Sequence, residues 1–408
     1  MCEAENKTVG EILDRLKDSM LFNLSLANTE LFHSNFLAWL WERGGAYADA
    51  LNAYFFEVKS GDLQDKVVEV RREFKHLDLV VLVKAKETDK DQDAERILVI
   101  ENKVKSMPQR AQLEGYRETI QKAFGEPEGR WIKCVLLTPF NVGWANWPEN
   151  WENATHMEII ECVRTAKEET PQNPDPYLEH AVLDFCDSGD DLCRLLEHYT
   201  VKMEDETPFL LPESELASLT RYRMAALIQK YRFAGLLRLV KDAWRKQQQG
   251  NGPMRTEDWQ WGTNFHQETA LCEIKMFLKT PGTKDTKKKI PSVILQLHGN
   301  RFSIGVEHIP ESSKTSARRT IKTLRDDAIL MPEDWCHHPK YLECDALLYR
   351  CKGSRPKKNI EVNQYNEFYY DYRLLSPNAT APEIVDLFMI HWRHIVERHK
   401  EIPAYFKL

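Results

Sequence analysis

His76-Leu-Asp-Leu-Val-Val-Leu-Val83 and Ile97-Leu-Val-Ile-Glu-Asn-Lys-Val104 are two short apolar runs rich in β-branched residues, separated by the charged stretch Lys84 to Arg96. Runs of that length and composition, joined by a polar loop, predict two strands of a hairpin. In a hairpin the start of the first strand lies beside the end of the second, so Asp78 is expected next to Glu101 and Lys103. Residues two apart on a strand share a face, which aims Glu101 and Lys103 the same way. Pairing rules alone thus gather two carboxylates and an amine at one end of a sheet.

Clustered carboxylates repel one another unless a cation lies between them, and their oxygens are the hard ligands that Mg²⁺ takes together with water and phosphate. A lysine on the same face can hold an attacking water or offset charge developing on phosphorus. The plainer reading is a solvated strand end with an ordinary ion pair, of small energetic value. The neighbouring sequence bears on the choice. Met107 to about Phe124 begins with a proline suited to a first helical turn. Gln112 and Tyr116, four apart, share one face of that helix. The helix leads to Trp131-Ile-Lys-Cys-Val-Leu-Leu-Thr138, an apolar run of the kind a buried parallel strand shows. A right-handed crossover places this strand beside the Glu101 strand and brings Gln112 over the acids.

Upstream, Asn28-Thr-Glu-Leu-Phe-His-Ser-Asn-Phe-Leu-Ala-Trp-Leu-Trp41 has a capping residue and then Phe32, Phe36, Trp39 and Leu40 at helical spacing. Glu30 and His33 fall on another stripe. Read alone, Glu30 is a first-turn acid complementing the helix dipole, and His33 a capping or packing group.

Taken in order, these pieces resemble the PD-(D/E)XK nuclease superfamily over about the first 165 residues. Asp78 stands as the strand acid and Glu101-Asn102-Lys103 as the (D/E)-x-K triplet; Leu77 replaces the proline of the motif name. Gln112-x-x-x-Tyr116 is similar to the Q-x-x-x-Y element of the RecB-like branch, and Leu31 to Leu40 to the opening of a bacterial, often defence-associated subgroup. The resemblance implies an α/β, restriction-endonuclease-like αβββαβ core. It implies Mg²⁺, with Mn²⁺ able to substitute, held by Asp78, Glu101 and the carbonyl of Asn102, with Glu30 bound through water or on a second ion. Lys103 would orient the nucleophilic water, Gln112 and Tyr116 would position the helix and a substrate phosphate, and His33 would lie at the substrate-binding edge. The implied activity is phosphodiester hydrolysis of nucleic acid, DNA rather than RNA, leaving a 5′-phosphate. A catalytically idle scaffold that binds nucleic acid or a partner is the alternative, and a gated phage-defence effector a third reading.

The 408 residues, 42% hydrophobic and 29% charged, suffice for two or three domains. No run approaches the roughly 20 apolar residues of a membrane span, so no membrane partner is expected. Nine scattered cysteines and an acidic N-terminus without a secretory apolar stretch suit a reducing cytoplasm. Cys336-His337-His338 with Cys344 and Cys351 matches no standard zinc spacing. The net charge of −7 is uneven: residues 1–200 hold 23 basic and 37 acidic side chains, residues 201–408 hold 33 and 26. A polyanion needs local basic surface, which the second half is better placed to provide.

Three parts are expected: a nuclease-like domain over 1–165, a helical segment over 177–249 with a break near Ser188-Gly189, and an α+β module over 255–408 for substrate binding or sensing. Strands are expected at Thr269–Leu278, Ser292–Leu297, Arg301–Val306, Tyr341–Tyr349 and Glu367–Arg373, with a hairpin turn at His298-Gly-Asn-Arg301. Helices are expected at Thr315–Ala328 and Ala381–Lys400. Basic clusters at Lys287–Lys289, Arg318, Arg319, Lys322, Arg325 and Arg355–Lys358, interleaved with aromatics, suit nucleic acid or simple solubility. A homodimer or a defence-system partner protein is a further expectation.

Overall fold

The structure is a computed structural model that describes residues 8–25, 29–58, 66–85, 95–104, 110–125, 131–141, 150–169, 175–248, 259–266, 269–278, 291–307, 363–365 and 368–402. The chain forms two compact units, Met1–Tyr199 and Thr200–Leu408.

The first unit opens with four helices, α1 (Val9–Asp18), α2 (Met20–Ser25), α3 (Thr29–Arg43) and α4 (Ala46–Phe56). Strands β1 (Lys66–Phe74), β2 (Leu77–Ala85) and β3 (Arg96–Asn102) follow, then α5 (Arg110–Phe124), β4 (Trp131–Thr138), β5 (Trp151–Thr155), α6 (His156–Glu169) and α7 (Pro176–Tyr199). The sheet runs in the order β1-β2-β3-β4-β5. β1, β2 and β3 pair antiparallel, whereas β3, β4 and β5 are parallel. It is a mixed α/β architecture around a five-stranded mixed sheet.

Both faces of that sheet are apolar, which explains the near-continuous hydrophobic runs of the central strands. Leu79, Val81, Leu98, Ile100, Val135 and Leu137 pack on one face against α3, α4, α6 and α7. Val80, Leu82, Ile97, Val99 and Leu136 pack on the other against Leu113, Ile120 and Phe124 of α5. β1 turns into β2 through Lys75 and His76, both at positive φ (52° and 72°), with Phe74 paired to Leu77. This two-residue geometry gives the twist that antiparallel strands need, here without the usual glycine.

The expected break at Ser188-Gly189 is absent: α7 is continuous. Gly189 lies against α6, where an added Cβ would fall 2.7 Å from Ile160 Cδ1. The glycine permits close helix packing rather than ending the helix. Residue 165, expected as a domain end, lies inside α6, and the unit continues through α7.

In the second unit, the later part of the helical segment expected over 177–249 forms two helices, α8 (Glu213–Arg221) and α9 (Ala225–Gln248). The interruption falls where Arg223 adopts φ 59°. β6 (Trp259–His266), β7 (Thr269–Phe277), β8 (Ser292–His298), β9 (Arg301–Glu307), β10 (Asn363–Tyr365) and β11 (Phe368–Leu374) form an antiparallel sheet in the order β10-β11-β9-β8-β7-β6. His298 pairs with Arg301 across a Gly299-Asn300 turn. The closing helix α10 (Ala381–Glu397) starts with a Thr380–Glu383 capping box. The core includes Phe302, Phe388, Trp392 and residues of α9. The expected strand at 341–349, the helix at 315–328, the basic clusters and the Cys336 group lie outside the described residues. Among the described residues, no helix is long and apolar enough to cross a membrane.

The Gly189 contact yields a signed prediction. Gly189→Ala gains about 1 kcal/mol in helix propensity, but overpacking against Ile160 costs about 1–3 kcal/mol, so urea unfolding should show net destabilisation. Ile160→Val removes Cδ1, and combined with Gly189→Ala its own cost should shrink or vanish. Strictly additive effects would refute the contact.

Candidate active site

The register places the first acid. Leu79 pairs with Ile100, so Asp78 stands across from Glu101, and the main-chain N–H of Asn102 donates to Asp78 Oδ2 at 2.8 Å. Asp78 shares the side of Val80 and Leu82, and Glu101 the side of Ile97 and Val99, so both face α5. Asp78 is half-buried and Glu101 only 1% exposed.

Lys103 follows β3 on the same face, and its Nζ lies 2.6 Å from Glu101 Oε1. Gln112 and Tyr116, one turn apart on α5, complete the ring. Gln112 Nε2 donates to the Tyr116 hydroxyl at 2.7 Å, and both groups donate to Glu101 Oε1 at 3.3 Å. Three donors thus converge on one carboxylate oxygen. The other, Oε2, is buried and has no hydrogen-bond partner among the described residues. Burial above all, then the adjacent Asp78 charge, pushes the Glu101 carboxyl up to about 7, against the pull of Lys103. Burial and the Glu101 charge push the Tyr116 phenol up to about 12.

The peptide plane after Asn102 has a defined direction. Lys103 N–H donates to Leu137 O of β4 at 2.8 Å. In a trans peptide the carbonyl points opposite to the N–H, so Asn102 C=O points away from β4, toward the Asp78 side. The edge therefore presents the Asp78 carboxylate, the Glu101 carboxylate and a main-chain oxygen.

The Asn102 side chain takes the opposite face, where Oδ1 lies 2.9 Å from Nε2 of His156. His156 is the first residue of α6, and its ring sits 4.6 Å from that of His33 on α3. His33 is therefore not at an open edge: it is 6% exposed, on the sheet face away from Glu101, with its ring against Phe185. Burial holds its imidazole down to about 4. Burial, and secondarily the neighbouring His33, hold His156 well below its usual value, so both rings are neutral. Glu30 belongs to the first turn of α3; its side chain lies outside the described residues.

The arrangement thus gathers Asp78, Glu101, Asn102, Lys103, Gln112 and Tyr116 and sets His33 apart. Sequence reasoning passed over His156, although Thr155-His-Met-Glu158 directly after a strand carries the signature of a capped helix start. Among the described residues no group of three or more His, Cys, Asp or Glu side chains gathers as a ligand set; the donors here are two side chains and one main-chain oxygen.

Comparison with protein families bears on the class. Residues 20–187 match the PD-(D/E)XK nuclease superfamily. The matched region spans α2 to α7 and includes every residue of the ring described above. Similarity of this kind points to a nuclease, to a nucleic-acid substrate and to divalent-metal chemistry. No curated protein matches the chain, and no solved structure matches it.

The pushed-up Glu101 carboxyl gives a pH prediction. Between about pH 4.5, its ordinary value, and about 7, the folded protein holds a proton that the unfolded chain has lost. Metal-free stability should therefore fall as pH rises through this window and level off above it, by up to roughly 3 kcal/mol. Glu101→Gln should flatten that part of the profile in urea unfolding with EDTA. An unchanged slope in the variant would show that Glu101 titrates normally.

Proposed function

We propose that the chain is a metal-dependent nuclease whose site is the β2–β3 edge beneath α5. The carrying observation is the buried Glu101: one oxygen is saturated by three donors, while the other has no described partner and shares a face with a second carboxylate. An orphaned buried carboxylate oxygen is costly unless a cation or proton satisfies it. The donor set, two hard carboxylates and a carbonyl, fits Mg²⁺, with Mn²⁺ as a substitute, water and phosphate completing the shell. The order of three strands, helix and strand supports an αβββαβ core, and the Gln112–Tyr116 contact supports the Q-x-x-x-Y reading.

In this reading Asp78, Glu101 and the Asn102 carbonyl hold the ion, with Glu30 assisting from α3. The ion, when bound, supplies Lewis-acid polarisation of the phosphate and a more acidic water. Lys103 orients the attacking water and offsets the charge that builds on the phosphoryl oxygens. Water adds to phosphorus and gives up a proton, the P–O3′ bond breaks, O3′ leaves as a hydroxyl after taking up a proton, and a 5′-phosphate remains. Gln112 and Tyr116 hold Glu101 in the rotamer that presents Oε2 and offer hydrogen bonds to a substrate phosphate. DNA is the substrate expected first, and a cytoplasmic phage-defence role rests on the resemblance of residues 31–40 alone.

Purified protein incubated with plasmid, linear duplex, single-stranded DNA and RNA, in Mg²⁺, Mn²⁺ or EDTA, tests this. Cleavage should require the metal, and Asp78→Ala and Lys103→Ala should each lower it by about 100-fold or more while the chain stays folded. Cleavage that persists in EDTA, or at wild-type rate in both variants, would remove the site assignment.

A further inference from the structure

The geometry points to His156 as a positioning residue: from the far face of the sheet it fixes the peptide of Asn102 that supplies the main-chain oxygen to the cation. The inference rests on the nuclease reading and deepens it.

His156 is itself held in place before it touches anything. Thr155 N–H and its hydroxyl donate to Glu158 Oε2 at 2.7 and 2.8 Å, and Glu158 N–H donates back to Thr155 Oγ1 at 3.2 Å. This reciprocal box clamps the first turn of α6. β5 fixes the same turn in register, since Ala154 pairs with Leu137 and Leu137 with Asn102 across β4. His156 shares the face of Ala154, so its ring reaches back over β4 to the Asn102 side chain. His33 closes the other side of the ring at 4.6 Å.

The bond is costly in such surroundings. Asn102 is 0% exposed and His156 3%, beside a cluster of Leu, Ile and Phe side chains. A buried imidazole–amide pair gives little net stability relative to apolar groups of the same shape. What it gives is direction. With Asn102 Oδ1 as acceptor, neutral His156 carries its proton on Nε2, and Nδ1, which has no hydrogen-bond partner among the described residues, keeps a lone pair.

That direction is transmitted to the site over one residue. The contacts that hold Asn102 include its N–H on Asp78, the following N–H on Leu137 O, and its side chain on His156. The first two lie in the plane of the sheet; the third comes from beneath and opposes a tilt of the strand end toward or away from α5. Outer groups that orient metal ligands typically change metal affinity by about 10–100-fold when lost.

Mn²⁺ binding to the full chain, measured by calorimetry alongside thermal melting and cleavage, tests the idea. His156→Phe keeps ring volume but removes the donor, and should weaken Mn²⁺ binding about 10-fold or more, with cleavage largely restored at high Mn²⁺. His156→Gln supplies an amide donor and should recover part of the affinity. A folded His156→Phe protein with wild-type Mn²⁺ affinity overturns the proposal, since a merely structural histidine would change only the melt. Should His156→Phe fail to fold, Asn102→Leu removes the acceptor, keeps the main-chain oxygen and should weaken Mn²⁺ binding by a similar factor; unchanged affinity there overturns it equally. The underlying reading fails differently: wild-type protein would then bind no Mn²⁺ in a manner lost in Asp78→Ala, and both proposals would fall together.

Discussion

Everything at the site depends on the antiparallel register of β2 on β3, with Leu79 opposite Ile100. In most sheets one buried face fixes register, because a one-residue slip would expose its apolar side chains. That rule has little force here, since both faces of these strands are apolar and buried. The end residues discriminate instead. A slip by one would turn Asp78 to the face of Leu79 and Val81, away from Lys103 and the donors of α5. The polar strand ends that resemble functional decoration therefore also specify the fold.

That double role explains what was legible in the sequence. The hairpin, the helix carrying Gln112 and Tyr116, and the strand Trp131–Thr138 announce themselves through strong period and length, and polar residues inside such runs stand out. β5 does not: Trp151-Glu-Asn-Ala-Thr155 is five residues long, with an exposed Glu152, and its strand character comes from pairing with β4. Gly189 carries two meanings in sequence, helix break or close approach, and only the position of Ile160 distinguishes them. Arg223 at positive φ splits a helix whose apolar stripe runs on without a glycine or proline to mark the break. His156 escapes because a lone histidine near a strand end is ordinary; its partner lies 54 residues away on another strand.

The electrostatics of the site are unbalanced by design of the chain rather than by accident of packing. Among the described residues, Glu101 shares its buried surroundings with the Asp78 carboxylate and the Lys103 side chain, and burial, then the Asp78 charge, pushes its carboxyl up to about 7. A divalent cation held by Asp78 and Glu101 would shift that balance by taking the place of the proton. The same carboxylates disfavour a polyanionic substrate, and the first 200 residues are acidic as a whole. Attraction of a phosphate backbone must then come from groups placed for it, not from the general field of this unit.

The site's location follows from sheet topology. β3 is the strand at which pairing changes from antiparallel on one side to parallel on the other. The antiparallel neighbour contributes its beginning to this edge, and the parallel neighbours contribute their ends, so one edge collects the start of β2 and the ends of β3, β4 and β5. The chain leaving β3 must return to the opposite edge to begin β4, and the helix that makes the crossover necessarily covers one face of the sheet. Residues of α5 are thereby delivered over Glu101, while the chain leaving β5 turns into α6 on the other face and delivers His156 under Asn102. Two helices with no sequence proximity thus grip consecutive residues of one strand from opposite sides. A strand end held that way can present a main-chain oxygen as a ligand of fixed direction, which a loop held from one side could not.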